Sequence, residues 1–214
     1  MIPIILKLKR ANQKNIALAQ DLILQATYEI FKDAVFHGGT CIWRCYSGNR
    51  FSEDIDMYIK KDKEKLNELF ELFERKGFII EKKKVSENGI YSSLNLKGYS
   101  VRFEAIFKNI EGSLKEYETA EGNLLNTYAL LPEELIKEKI KAYLNRLKMR
   151  DLYDIFFLLR YVNNVVEIRK SLKELILRFN EPIDEKDLGG IIIEGLVPNK
   201  DKILDYIKGW IKNG

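Results

Sequence analysis

The sequence predicts an α+β chain in which an α/β core, residues 1–130, is followed by a helical region, residues 131–214. Three observations carry this. Between residues 78 and 130, short runs rich in β-branched and aromatic residues are separated by polar or glycine-containing breaks, the mark of strands and turns. Beyond Pro132 the apolar residues recur at helical spacing. A chain of 214 residues that is 46% hydrophobic and 32% charged also has enough apolar material for a packed core, unlike a disordered sequence.

Taken in order, Ile16, Ala19, Leu22, Ile23, Ala26, Ile30 and Phe31 predict a helix over residues 11–33. Residues 34–36 predict a short buried strand running into Gly38-Gly39, with a short helix near 40–47 and a second strand over 54–59. Leu66, Leu69, Phe70 and Phe73 give residues 62–76 an inward helical face, and Gly77 supplies a stop. Strands are predicted over 78–85, 90–96, 99–107 and 124–130, with turns at Asn88-Gly89 and Lys97-Gly98. In the third of these, Val101, Phe103, Ala105 and Phe107 face one way, and Arg102, Glu104 and Ile106 the other. Leu135, Ile136, Ile140, Tyr143 and Leu144 begin the helical region, which runs on through residues 203–211.

Composition narrows the function classes. A net charge of +4, with Lys and Glu interleaved, permits a nucleic-acid partner without demanding one. Cys41 and Cys45 with the single His37 cannot complete a zinc site, and are read as reduced, packed thiols of a cytoplasmic protein. The apolar start is too short for a signal segment, and no stretch approaches the ~18 apolar residues of a membrane span, so no membrane partner is expected.

The chemistry concentrates in Gly38-Gly39-Thr40 and, sixteen residues after Gly38, Asp54-Ile55-Asp56. Residues i and i+2 of a strand share a face, so Asp54 and Asp56 stand side by side while Ile55 turns to the core. Like charges so placed make sense around a cation, and Mg²⁺ prefers oxygen ligands. Glu104, mid-strand among apolar neighbours, is the candidate third carboxylate of such a site. A Gly-Gly turn lets backbone N–H groups approach a phosphate. Ser52 is read as a phosphate ligand or a strand start, and Arg50 as a phosphate or structural partner. Arg44 is read as a surface residue or a further partner, and His37 as a positioning residue. Lys82-Lys83-Lys84 is a basic patch or a solvated edge. A second constellation, Glu138-Lys139 to Arg150-Asp151-Leu152-Tyr153-Asp154, sets Lys139 and Arg146 on one helix face. It also sets Asp151 and Asp154 beside a dense apolar run, where burial calls for partners such as Arg146 or Arg150.

These motifs, in this order and spacing, resemble the AbiEii/AbiGii-type nucleotidyltransferases of the DNA polymerase β-like superfamily over roughly residues 30–160. The superfamily turn is more usually Gly-Ser, and Thr40 still offers a hydroxyl. The resemblance implies a mixed-sheet nucleotidyltransferase core, transfer of a nucleoside monophosphate from an NTP, and often a toxin role with a cognate antitoxin. RNA, the tRNA acceptor end in some relatives, is the expected acceptor. It implies that Gly38, Gly39 and Thr40 hold phosphates, Asp54 and Asp56 bind Mg²⁺, Lys139 contacts the triphosphate and Asp151 is the acid of the last motif. The same fold acting on a small molecule or protein side chain, or a silent binding module, are the competing readings.

Overall fold

The computed structural model describes residues 2–213. Two compact units are seen: Met1–Ser47 with Phe51–Leu130, and Gly48–Arg50 with Leu131–Gly214.

The first unit opens with α1 (Ile4–Lys7) and the long helix α2 (Ala11–Ile30), then β1 (Val35–His37), α3 (Gly38–Cys45) and β2 (Ile55–Ile59). Helix α4 (Lys63–Arg75) follows, its N-terminus capped by Asp62, whose carboxylate accepts the N–H groups of Glu64 and Lys65 at 3.1 Å. Strands β3 (Ile79–Val85), β4 (Gly89–Leu96), β5 (Tyr99–Phe107), β6 (Ser113–Glu118) and β7 (Leu124–Ala129) complete it. Among the described residues these form one seven-stranded sheet of order β3-β4-β5-β2-β1-β7-β6. Pairs β2–β5 and β1–β7 are parallel and the others antiparallel, so the sheet is mixed. The two-residue link between β4 and β5, Lys97-Gly98, has φ of +52° and +90°, the doubly positive geometry of a tight primed turn.

Alternation along the strands decides the core. Ile55, Met57 and Ile59 of β2 and Val101, Phe103 and Ala105 of β5 are buried. Helices α2 and α4 cover that face, and Phe73 of α4 meets Phe103 edge-on at 5.4 Å. The polar side chains of the same strands point the other way. Two buried polar groups tie the unit together. Asp21 of α2 accepts from Arg44, from the Tyr117 hydroxyl at 2.7 Å and from the Ala120 N–H at 2.8 Å. Arg44 is 2% exposed and also donates to the carbonyls of Ala17 and Glu118, so it is an interior residue and not a surface one.

The second unit is helical: α5 (Pro132–Arg146), α6 (Met149–Leu158), α7 (Val165–Leu177), the single turn α8 (Leu188–Ile191) and α9 (Lys200–Asn213). Pro132 stands in the first turn of α5, where its missing N–H costs nothing. Leu135, Ile136, Ile140 and Tyr143 of α5 pack with Leu152, Ile155 and Leu158 of α6, Leu172 of α7 and Ile203 of α9 in its core. Residues Gly48–Arg50 thread into this unit, with the Ile193 N–H donating to the Asn49 carbonyl at 2.8 Å.

Candidate active site

The site in the first unit is built where β1 ends and α3 begins. His37 is register partner of Asp56 across β1–β2, and Asp56 of Glu104 across β2–β5. Cross-strand partners project to the same face. Asp56 and Glu104 therefore stand side by side on the sheet face opposite α2 and α4. Asp54 lies one residue before β2 and reaches the same face: Arg102, two residues before Glu104, donates from Nε to its Oδ1 at 2.9 Å and from a second nitrogen to Oδ2. The Arg102 Nε lies 3.6 Å from Glu104 Oε1.

The chain turns sharply after His37 because Gly38 takes φ +76°. A Cβ at Gly38 would lie 2.1 Å from Asp56 Oδ2, so this glycine backbone is packed directly against the carboxylate. The start of α3 is thereby brought to Asp56, and the N–H groups of an opening helical turn are natural phosphate donors. Thr40 is fully buried and its hydroxyl donates to the Asp54 carbonyl, clamping α3 to the acidic segment. What Thr40 offers a phosphate is its N–H, since its O–H proton is already engaged. Gly38→Ala is expected to push Asp56 aside at a left-handed backbone position and to lower the activity of this site roughly a hundredfold. Turnover within twofold of wild type would show that the close approach is not needed.

The electrostatics follow from this crowding. Burial, then Asp56 and Asp54, push the Glu104 carboxyl above its ordinary range, against Arg102 and His37. The hydrogen bonds it donates to Asp54 hold the Arg102 guanidinium even more firmly protonated than usual. His37 stacks on Tyr58 at 4.0 Å with 16° between the rings, which fits a positioning role beneath Asp56. Ser52 is tied through its backbone, its carbonyl accepting from the Gln20 side-chain amide at 2.9 Å.

Hard oxygen donors and surplus negative charge suit a divalent cation such as Mg²⁺. Asp56 and Glu104 fit it most directly, while Asp54 would exchange Arg102 for the ion. Among the described residues no three acidic, His or Cys side chains already converge as a metal cluster, so the ligand set is adjacent rather than preassembled.

The remaining sequence-predicted residues belong to the second unit. Arg50 is 3% exposed and forks onto Asp154, with Nε to Oδ1 and a terminal nitrogen to Oδ2 both at 2.5 Å. A buried carboxylate thus takes the charge that the sequence reading also offered to a phosphate. Lys139 lies 2.9 Å from Asp154 and 3.7 Å from Asp151, and Arg146 forks onto Asp151 at 2.7 and 2.8 Å. Burial opposes ionisation of Asp154, but Arg50 and Lys139 outweigh it and hold its carboxyl below the usual range. The sequence named Arg146 or Arg150 as partners for both acids. Arg146 serves Asp151, while Asp154 recruits Arg50 from 104 positions away. Arg102 was placed beside Glu104 by strand alternation, but nothing local in the sequence announced its grip on Asp54.

A family model described as "Nucleotidyl transferase AbiEii toxin, Type IV TA system" matches residues 22–200. The match extends past the motif-bearing stretch at both ends. Among solved structures, the chain is similar to MenT4, a nucleotidyltransferase toxin of Mycobacterium tuberculosis, with TM-score 0.64 and 18% identity over 96% of this chain and 86% of that one. It is similar to JHP933 of Helicobacter pylori, with TM-score 0.64 and 16% identity over 95% of this chain and 91% of that one. It is also similar to the antibiotic-resistance factor ANT(2'')-Ia, with TM-score 0.50 and 15% identity over 76% of this chain and 91% of that one. At these identities the likenesses establish the fold. No curated protein matches the chain in sequence.

Proposed function

Since the chain belongs to the AbiEii nucleotidyltransferase toxin family, we propose that it moves a nucleoside monophosphate from an NTP to the hydroxyl of an RNA, in the manner of a type IV toxin acting on a tRNA end, with Mg²⁺ as cofactor. One observation carries the reading: Gly38, at the head of α3, packs directly against Asp56, whose register partner is Glu104. A phosphate cradle and a carboxylate pair are thus adjoining parts of one surface.

The N–H groups of Gly39 and Thr40 receive triphosphate oxygens. Asp54, Asp56 and Glu104 would hold the magnesium, which would supply positive charge to offset that of the phosphates. The acceptor oxygen attacks the α-phosphorus, a new P–O bond forms, and the bond to the bridging oxygen of the β-phosphate breaks to release pyrophosphate. The proton of the acceptor hydroxyl passes to bulk water as the new bond forms. The family position of Lys139 implies a contact with the triphosphate, while within its own unit its ammonium is held by Asp154 and Asp151. A cognate antitoxin is the partner a type IV toxin implies. Among the described residues no helix is long and apolar enough to cross a membrane.

The test is incubation of the full chain with each labelled NTP and total RNA, with Mg²⁺ or with EDTA. Label on RNA that vanishes with the chelator and returns with Mg²⁺ is expected. Label on RNA unaffected by the chelator would remove the metal from the reading. No label on RNA with any NTP would remove the RNA acceptor, and label on a small molecule or protein would replace it.

A further inference from the structure

The lysine run of β3 is divided by the strand. Lys83 is register partner of the buried Ser92 and lies 3.9 Å from the ring centre of Phe70 on α4, on the helix-covered face. Lys82 and Lys84 project to the other face, and both are exposed. Their register partners there are Ser93 and Tyr91 of β4, whose own partners on β5 are Arg102 and Glu104. One row across the sheet therefore reads Asp56, Glu104, Tyr91, Lys84. The next carries Arg102, Ser93 and Lys82, with Asp54 gripped by Arg102. Tyr91 is half-buried, and the Lys82 ammonium lies 4.8 Å from its ring centre.

We propose that Tyr91, Lys82 and Lys84 form the seat for the single-stranded 3′ end of a polynucleotide acceptor, on the same sheet face as Asp54, Asp56 and Glu104. This rests on the nucleotidyltransferase reading and adds the acceptor's place to it. The chemistry is that of single-strand binding: an aromatic side chain on which a base stacks, flanked by cations for the phosphates. Order along the row gives direction. A polyanion is drawn to Lys82 and Lys84 and repelled by Asp56 and Glu104, so it extends toward the acids only its terminal hydroxyl. Three strand spacings of ~4.8 Å put about 14 Å between the backbones at Lys84 and Asp56, a reach of a few nucleotides. Glu81, held by Ser93, Asn95 and Ser100, bounds the seat with opposite charge. Among the described residues β3 is the outermost strand, and no further strand closes this side.

The test is fluorescence anisotropy of a short labelled oligoribonucleotide with the full chain, without NTP, across a salt series. Lys82→Glu with Lys84→Glu is expected to weaken binding at least tenfold and to flatten the plot of log affinity against log salt by roughly 1.4, at ~0.7 per phosphate contact. Tyr91→Ala should weaken it about tenfold, whereas Tyr91→Phe, which keeps the stacking face, should not. Lys83→Glu, the same charge change on the opposite face, should bind as wild type. If the double charge reversal unfolds the chain, Lys82→Gln with Lys84→Gln supplies the measurement. Wild-type affinity in the face-specific variants, an equal loss in Lys83→Glu, or no binding by the wild-type chain each overturns the seat. Transfer that depends on Asp56 but goes to a small molecule would overturn the seat and leave the nucleotidyltransferase standing.

Discussion

Asp56→Ala is expected to lower nucleotidyl transfer by about a thousandfold, the loss of several kcal/mol of charge stabilisation at the phosphates, with the fold retained. The geometry argues both halves. Asp56 lies where the head of α3 and the Glu104 strand meet, and it is the one carboxylate of β2, while Asp54 ahead of the strand is gripped by Arg102. It also stands beside Glu104, whose raised carboxyl reports that burial and the neighbouring Asp56 disfavour its ionised form. Removing Asp56 relieves that repulsion, so the unfolding midpoint should hold or rise, the usual trade between stability and a charged site. Calorimetry should show weakened binding of Mg²⁺-NTP. Near-wild-type turnover in the labelled-NTP assay would refute the assignment, and loss of turnover with a collapsed midpoint would make Asp56 a structural residue instead.

Asp154→Ala is expected to act in the opposite sense, destabilising the protein by about 3–5 kcal/mol. It takes from buried Arg50 and Lys139 the carboxylate they share, in a unit whose core gives a charge little solvent. The pH dependence follows from the sign of the shift. Arg50 and Lys139 hold the Asp154 carboxyl below the ordinary carboxylate range in the fold. Its contribution is therefore complete well above pH 3.8, the ordinary value of the unfolded chain's carboxyl, and is lost as pH falls through that value and the lower folded one. Denaturant midpoints measured from neutral pH into acid should fall in the wild type over that window and fall less steeply in Asp154→Asn. Identical acid limbs would show that the Arg50–Asp154 pair contributes nothing to folding.

Local patterns in the sequence carried the helices and most strands. The spacing of Leu66, Leu69, Phe70 and Phe73 gave α4, and alternation from Val101 to Phe107 gave β5 with Glu104 and Arg102 turned from the core. Strand β6 was not legible, because Ser-Leu-Lys-Glu-Tyr-Glu is an edge strand in which Tyr117 alone is buried. Its charged residues resemble a loop until β7 pairs with them. The acidic motif was legible because it is local: two aspartates, one residue apart, after a glycine turn. The pairings that set its electrostatics were not. Arg102 meets Asp54 across 48 positions and Arg50 meets Asp154 across 104, and periodicity holds no information at that range. The two readings of Arg44, surface residue or partner, stayed open in the sequence for the same reason, since its partner Asp21 lies on another helix.

The excursion of Gly48–Arg50 into the second unit has an evolutionary consequence. A module hung on one linker can be exchanged, duplicated or lost as a cassette. Here the chain leaves the first unit, contributes Arg50 to the helical unit's buried ion cluster, and returns at Phe51, four residues before β2 begins. Recombination that replaced the C-terminal half would leave that guanidinium facing a foreign interior. Chimaeras joined at a single point near residue 130 should therefore be unproductive unless residues 48–50 are exchanged with the helical half.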